Sequence, residues 1–439
     1  MKPIVVAGFA WTVAMAQTPL SLGDAVKTAL EKHPSLAVAA AQIDAAGSRI
    51  EQARAAKGPR VSWMESFQSS NNPVFAFGSL LNQRRFAESN FRIDSLNNPG
   101  FVNNFQTVVS AGQTVYDGGA VKAQVRAAEV GRELNVEQRR ALQMQRIAAV
   151  AQRYHAVWLG SEAWKTAVAA EKSAQADLDR AESVRAAGMS TDADVLSIRV
   201  HLAAMREQVL DREQDIRIAR AALNEAMGVP LESEFELTTP LIGMVTVPAS
   251  KTVAASRPDL RQAELQRQAS EAQGAAARSA LYPQIALNGV FEADRGRFVT
   301  QAGANWFAGV TVRWNLFNGG ADRRRIDETA QLTTAARAGE RQASQAAQLE
   351  LRQAEASLAA ASERITVAEA GVGFARESLR IMKNRFNAGL TTVNELLRNE
   401  TALVEAETRR LRARYDQRVA AVMVELAAGT LTEASDVLQ

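Results

Sequence analysis

Val115-Tyr116-Asp117-Gly118-Gly119-Ala120 and Leu316-Phe317-Asn318-Gly319-Gly320-Ala321 carry nearly the same pattern 201 positions apart. Each closes a run that alternates apolar and polar residues, and each opens a long Ala-rich helical pattern. The chain therefore reads as an internal duplication of a strand-then-helix unit.

Other landmarks recur in the same order. His33-Pro34-Ser35-Leu36 answers Arg257-Pro258-Asp259-Leu260, and Gly58-Pro59-Arg60-Val61 answers Tyr282-Pro283-Gln284-Ile285, both at a spacing of 224; Gly118/Gly319 and Gly188/Gly389 are spaced by 201. The first repeat thus has 23 extra residues between its Pro and its Gly-Gly. Asn, Pro, Gly and Ser cluster between Asn71 and Pro99, so the extra length is expected there, as a loop insertion.

The residues before each Gly-Gly alternate with period two. Trp306, Ala308, Val310, Val312, Trp314 and Leu316 share one face, opposite Thr311, Arg313 and Asn315; in the first repeat Phe105, Val109, Ala111 and Val115 stand against Gln106, Ser110, Gly112 and Thr114. Runs of about ten such residues have the length of a tilted membrane-spanning strand. Upstream partners are expected over Val61–Phe67 and around Ile285, Leu287, Gly289 and Phe291. Of the 25 aromatic residues, 15 fall in Arg60–Tyr116 and Gln284–Asn318, as in a belt at a bilayer interface. Four strands cannot close a barrel, because eight is the practical minimum and lipid does not tolerate an open edge. The chain must oligomerise to complete its sheet.

After each Gly-Gly a Pro-free pattern rich in Ala, Arg, Gln and Glu runs for 68 residues, to Ala187 and Ala388. Each is about 100 Å of helix at a rise of 1.5 Å per residue. A rod or a duct can use such a helix; an ordinary globular domain cannot. The shorter helical patterns pair up to nearly the same length, as if stacked end to end beside each long helix with coiled-coil-like packing. The expected organisation is a signal peptide over 1–16 and a first repeat over 17–230, with helices 35–57, 120–187 and 191–227 and strands about 60–69 and 101–116. A linker follows over 231–256, then a second repeat over 257–439, with helices 259–280, 321–388 and 391–428 and strands about 284–293 and 304–317.

Composition bounds the function. Across 439 residues the net charge is only +3 and Arg is spread along the helices, which gives no case for nucleic acid. There is no Cys, so disulfides, thiolate metal sites and thiol nucleophiles are excluded. Lys2, the apolar run Ile4–Val13 and Ala14-Met15-Ala16 before Gln17 form a short secretory signal with an A-x-A cleavage site. No stretch approaches 18 consecutive apolar residues, so any membrane crossing is by strands. No Gly-rich phosphate loop precedes a helix. The three His, at positions 33, 155 and 201, lack short-range ligand spacing, and His155 beside Tyr154 and Trp158 reads as a packing residue. No catalytic constellation, metal site or cofactor is expected.

The paired joints Tyr116-Asp117-Gly118-Gly119 and Phe317-Asn318-Gly319-Gly320, together with Arg257-Pro258-Asp259-Leu260, Ala280-Leu281-Tyr282-Pro283 and Arg385-Phe386-Asn387-Ala388-Gly389-Leu390-Thr391-Thr392, resemble the outer membrane efflux protein (TolC-type) family over nearly all of the mature chain. The resemblance implies a homotrimer, mainly α-helical, whose chains build a twelve-stranded outer-membrane barrel continued by a twelve-helix periplasmic tunnel. It further implies a passive exit duct of a tripartite efflux or type I secretion system. Its partners would be outer-membrane lipid, a periplasmic adaptor and an inner-membrane pump of RND or ABC type, with most of each chain in the periplasm and an irregular equatorial region over Gly228–Lys251. Gly118, Gly119, Gly319 and Gly320 would mark the strand–helix junctions.

The far turns would form the periplasmic tip and contact the adaptor through Gly188, Met189, Ser190, Thr191, Gly389, Leu390, Thr391 and Thr392. Gly suits the left-handed end of one helix and Ser/Thr the cap of the next. Asp194 and Glu395, six positions after each tip Gly, match the acidic pore-entrance position of the family, with Arg385 and Phe386 as neighbours; Arg398 stands where a second acid often completes a ring. A Glu395–Arg398 pair between subunits could hold the tip shut, and both acids also suit helix N-termini on dipole grounds alone. Two readings of other classes remain at this point: a secreted coiled-coil protein without a pore, and a periplasmic adaptor, which would have one hairpin and separate β-domains rather than a whole-chain duplication.

Overall fold

The structure is a computed structural model that describes residues 18–187, 191–240 and 252–438. The 1–16 signal segment, the tip residues Gly188, Met189 and Ser190, and linker residues 241–251 lie outside the described residues. In chain order the elements are β1 (Thr18–Leu20), α1 (Leu22–Lys32), α2 (Pro34–Ala55), β2 (Arg60–Ser70), α3 (Pro73–Asn82), α4 (Ile93–Asn97), β3 (Val102–Tyr116), α5 (Ala120–Ala186) and α6 (Asp192–Met227). There follow β4 (Phe235–Leu237), α7 (Pro258–Ser279), β5 (Gln284–Arg295), β6 (Gly303–Arg313), α8 (Ala321–Asn387) and α9 (Val393–Ala428). No helix among the described residues is long and apolar enough to cross a membrane.

The chain divides into two compact units. One, built from 42–136 and 263–340, holds the four-stranded sheet in the order β2-β3-β5-β6, antiparallel throughout. The period-two faces follow from the pleat: Phe67 opposes Phe105, Val109 opposes Phe291, and Phe291 opposes Trp306.

β6 ends at Arg313, paired with Gln284, rather than at Phe317; the equivalent stretch of β3 beyond Gly112 is held by β5, through Gln113–Leu287 and Tyr116–Ile285, a second neighbour that the edge strand β6 lacks. Trp314 instead donates from Nε1 to the Leu281 carbonyl at 3.1 Å. The insertion expected as a loop over 71–99 is largely helical. Asn72 caps α3, its side chain accepting from the N–H of Val74 (3.0 Å) and Phe75 (3.1 Å), with Pro73 in the first turn. A 3-10 turn (Glu88–Phe91) and α4 follow. The Asn-Pro start before an apolar run was the readable signal for this helix.

The other unit, 1–41, 137–262 and 341–439, is helical with one two-stranded parallel pair, β1 with β4. Its core centres on Tyr154, fully buried among Leu22, Val26, Val150, Met227 and Leu431. The Tyr154 hydroxyl donates to the Leu20 carbonyl and accepts from the Thr239 N–H, both at 2.9 Å, tying β1 and the end of β4 to α5. Neither β1 nor α1 was expected from the sequence. Yet α1 buries Leu22, Ala25, Val26 and Ala29 at helical spacing, with Ser21 capping through the Asp24 N–H at 3.1 Å. His155, 1 % exposed, packs edge-on to Tyr154; burial first, then the Arg418 charge, lowers its pKa to about 4, which keeps it neutral.

Candidate functional site

Three features carry the functional reading, and each lies within one unit. The first is the sheet. One face presents Val61, Trp63, Phe67, Trp306, Val310 and Val312 as exposed side chains; Val115, expected on this face, sits at a register shift between Thr114 and Tyr116, and Tyr116 pairs with Ile285 in its place. Seen through the register, the same face continues across all four strands through Val109, Ala111, Leu287 and Phe291. An apolar patch of this extent is not a water-facing surface. Towards the β2 and β3 ends nearest Phe298 this face carries Glu65, whose carboxylate accepts from Arg295 at 2.6 Å, with Phe67 and Phe105 4.7 Å apart and Phe298 edge-on to Phe105 at 5.7 Å beneath the Arg295 guanidinium. The opposite face carries Ser62, Ser110, Gln106, Asn288 and Thr311, and its hydroxyls and amides bond across strands, as in Ser62–Ser110 at 2.7 Å and Asn288 Nδ2 to Thr311 Oγ1 at 2.9 Å. Met64, Val108, Val290 and Phe307 are apolar members of that face.

The second feature is the pair of strand–helix joints. Gly118, Gly119, Gly319 and Gly320 all have positive φ, which lets the chain turn sharply from strand to helix. Asp117 caps α5 by accepting from the Gly119 N–H (2.9 Å) and the Val121 N–H (2.7 Å). The two joints differ in what they touch. A Cβ on Gly118 would lie 2.7 Å from the Tyr282 Cβ, at the turn from α7 into β5, whereas no described residue stands within 4 Å of the same position on Gly319.

The third is the helix-turn end of the helical unit. Thr191 and Thr392 cap α6 and α9, each hydroxyl accepting from the N–H three residues on. Asp194 closes a capping box, accepting from the Thr191 N–H at 3.2 Å and the Thr191 hydroxyl at 2.7 Å. Glu395 pairs with Arg398 along the same helix at 3.2 Å. Arg385 Nη2 lies 3.5 Å from the Leu390 carbonyl across the turn that holds Gly389, Thr391 and Thr392, and Phe386 packs against the small core formed by Leu178, Ile198 and Val393. Of the residues singled out in the sequence, the structure brings Phe386 to the core that α5, α6 and α9 share, and gives Asp194 and Glu395 a local partner each.

Sequence reasoning missed the polar cluster behind this turn. Lys383 on α8 reaches Asp177 (3.2 Å) and Ser173 (2.9 Å) on α5 and Glu400 on α9 (2.9 Å); His201 on α6 lies 3.4 Å from the far oxygen of Glu400. Four helices, two from each repeat, thus meet on one buried charge network. Burial first, then the neighbouring Glu400, raises the Asp177 carboxyl to about 6. Burial works against the Glu400 charge, but His201, Asp177 and Lys383 together hold its pKa down to about 2. The only sequence trace is a 17-residue spacing across each turn, repeated by Glu182 and Arg199, which pair at 2.7 Å with the charges exchanged.

Solved structures with this arrangement include the Campylobacter jejuni CmeC outer membrane channel (TM-score 0.80, 16% identity, covering 100% of this chain and 96% of that one). The outer membrane protein VceC from Vibrio cholerae matches at a TM-score of 0.76 and 19% identity over 93% of this chain and 96% of that one. The open state of the Neisseria gonorrhoeae MtrE outer membrane channel matches at 0.74 and 19% over 94% and 91%. At these identities the likeness establishes the fold. Comparison with curated protein sequences finds no match. The family model described as outer membrane efflux protein matches residues 25–229 and 249–430, most of the chain in both repeats. The chain belongs to the outer membrane efflux protein family, and its place is the outer membrane.

Proposed function

We propose that the protein is a passive exit duct. Three copies close a twelve-stranded barrel in the outer membrane, and their helices continue it as a periplasmic tunnel. A periplasmic adaptor and an inner-membrane pump of RND or ABC type deliver the substrate, with the turns at Gly188–Thr191 and Gly389–Thr392 as the adaptor contacts and Asp194, Arg385, Phe386, Glu395 and Arg398 around the pore entrance. No catalysis is involved; selectivity belongs to the pump.

The observation that carries this reading is the unfinished sheet. β2 and β6 are edges, one face is apolar and exposed, and neither an edge nor such a face is stable until it is covered. The duplication says how it closes. Within the chain the second strand of repeat one, β3, pairs with the first strand of repeat two, β5. The same rule applied to β6 calls for β2 of another copy. The joints agree: Gly118 packs on the Tyr282 turn, while its counterpart Gly319 finds nothing within 4 Å among the described residues of its own chain. A secreted coiled coil without a pore has no use for such a sheet.

The test is heat-modifiable migration of the detergent-extracted protein, then conductance in a planar bilayer. An oligomer that dissociates on heating and forms discrete channels is expected. A monomer soluble without detergent would sink the duct reading.

A further inference from the structure

The 23-residue excess of the first repeat does not project away from the sheet. It folds back across the end of the polar face. Gln83, at the end of α3 and 3 % exposed, donates from Nε2 to the Asn103 carbonyl (2.8 Å) and to Asn104 Oδ1 (2.9 Å). Asn104 in turn donates to Asp294 Oδ1 at 2.6 Å, and Asp294 is fully buried. Arg84 donates to the Ala304 carbonyl at 3.1 Å, on the far edge strand. The segment therefore crosses β3, β5 and β6 rather than resting on one strand.

The strand residues that receive it settle which face this is. Asn104 and Asp294 share the face of Gln106, Ser110 and Asn288, opposite to the one that carries Phe105, Phe291 and Trp306. The seat is built on both sides. A Cβ on Gly303 would lie 1.7 Å from the Asn82 carbonyl, and one on Gly296 2.0 Å from Arg85 Nη1, so the β5–β6 turn has glycine where the segment comes closest. Ala76 and Ser79 of α3 are buried by the contact.

In a barrel whose apolar face meets lipid, the polar face lines the lumen. We infer that Pro73–Asn97 is a strap folded into the outer mouth of the duct, narrowing it and limiting the size of solute that leaves, with Gln83–Asn104–Asp294 as its anchor. Only the first repeat carries it, so a trimer has three straps on a twelve-stranded circumference. This inference rests on the duct reading, which fixes the apolar face as the lipid side.

Because the chain has no cysteine, a single Ser62→Cys on the polar face, on the helix side of the strap, reports passage from outside. Intact cells carrying this variant are treated with a small maleimide and with a bulky polyethylene-glycol maleimide. The expected result is labelling by the small reagent and exclusion of the bulky one. In Ser62→Cys chains with 73–97 replaced by a short Gly/Ser turn, both reagents should label. Should that deletion fail to give the heat-modifiable oligomer, Gln83→Ala with Arg84→Ala removes the anchor alone and should raise bulky-reagent labelling severalfold. Bulky-reagent labelling of the parent, or unchanged exclusion after the strap is removed or unanchored in an assembled oligomer, overturns the strap. Failure of even the small reagent in an assembled parent would instead count against the polar face as lumen, and so against the duct reading itself.

Discussion

Gly228 stands against the backbone of His33: a Cβ on this glycine would lie 2.7 Å from the His33 Cα. Gly228 ends α6 in the left-handed conformation, and His33 is the residue before the Pro that opens α2. The second repeat makes the same joint, with Gly429 at the end of α9 and the Arg257 side chain 2.9 Å from its Cβ position. There Arg257 also donates to the Ala427 carbonyl and pairs with Asp259 and Glu350. These contacts place the end of one short helix at the start of another in both repeats, as the complementary helix lengths imply.

Replacing Gly228 with Ala should therefore cost more than the left-handed backbone alone. Gly389 has the same φ of 72° with no described residue within 4 Å, so Gly389→Ala isolates the backbone term, about 1–2 kcal/mol. Gly228→Ala adds an overpacking term of about 1–3 kcal/mol. Thermal unfolding of the two detergent-solubilised variants should rank Gly228→Ala clearly lower; equal midpoints would mean the joint yields freely.

Lys383→Met should destabilise the four-helix junction strongly. It leaves the Glu400 charge and Asp177 facing each other out of water, and breaking a buried pair from one side costs about 3–5 kcal/mol. Adding Asp177→Asn and Glu400→Gln removes the orphaned charges, so the triple variant should recover much of the loss. A triple variant no more stable than Lys383→Met would refute this account of the cluster.

The same cluster gives stability a pH dependence whose sign can be worked out. The folded pKa of Asp177, about 6, lies above its ordinary 3.8, so its contribution is full below about pH 4 and lost as pH rises through about 6. Glu400 is opposite: held near 2 against an ordinary 4.5, its contribution is present above 4.5 and lost as pH falls towards 2. Between about pH 7 and 5 the Asp177 gain is opposed by His155, whose folded pKa of about 4 lies below its ordinary 6.5 and which therefore costs stability as pH falls through the same range. In Asp177→Asn only the opposing His155 contribution remains, so the unfolding midpoint should fall more between pH 7 and 5 than in the parent by differential scanning calorimetry; an equal pH response would remove Asp177 from the account.

In the trimer proposed above, repeat symmetry sets the register expected between copies. Val109 opposes Phe291 in β3 and β5, and the repeat spacings of 201 and 224 carry that pair to Val310 and Phe67. Both side chains are exposed in the single chain. A variant carrying Val310→Cys and Phe67→Cys should oxidise to covalent dimers and trimers, whereas Val310→Cys with Ser66→Cys, whose side chains point to opposite faces, should not. The reverse preference would shift the register by one residue.

Much of this was written in local pattern. Period-two alternation gave the strands and their faces, because a pleated strand exposes successive side chains to opposite sides whatever surrounds it. Pro-free Ala-rich runs gave the long helices, and Gly-Gly gave the joints, since each depends on backbone preference within a few residues. The end of β6 at Arg313 was not legible from its own alternation, which continues past it; the matching stretch of β3 is held by β5, a second neighbour that the edge strand β6 lacks. Tertiary structure alone decided the rest. Asp177, His201, Lys383 and Glu400 are ordinary helix residues in sequence, and only the packing of four helices takes them out of water and turns them into one network. The excess between Asn71 and Pro99 was visible as length, but its direction was not. That depended on Gln83 meeting Asn104 across the sheet and on glycine at 296 and 303 leaving room, contacts between residues far apart in the chain.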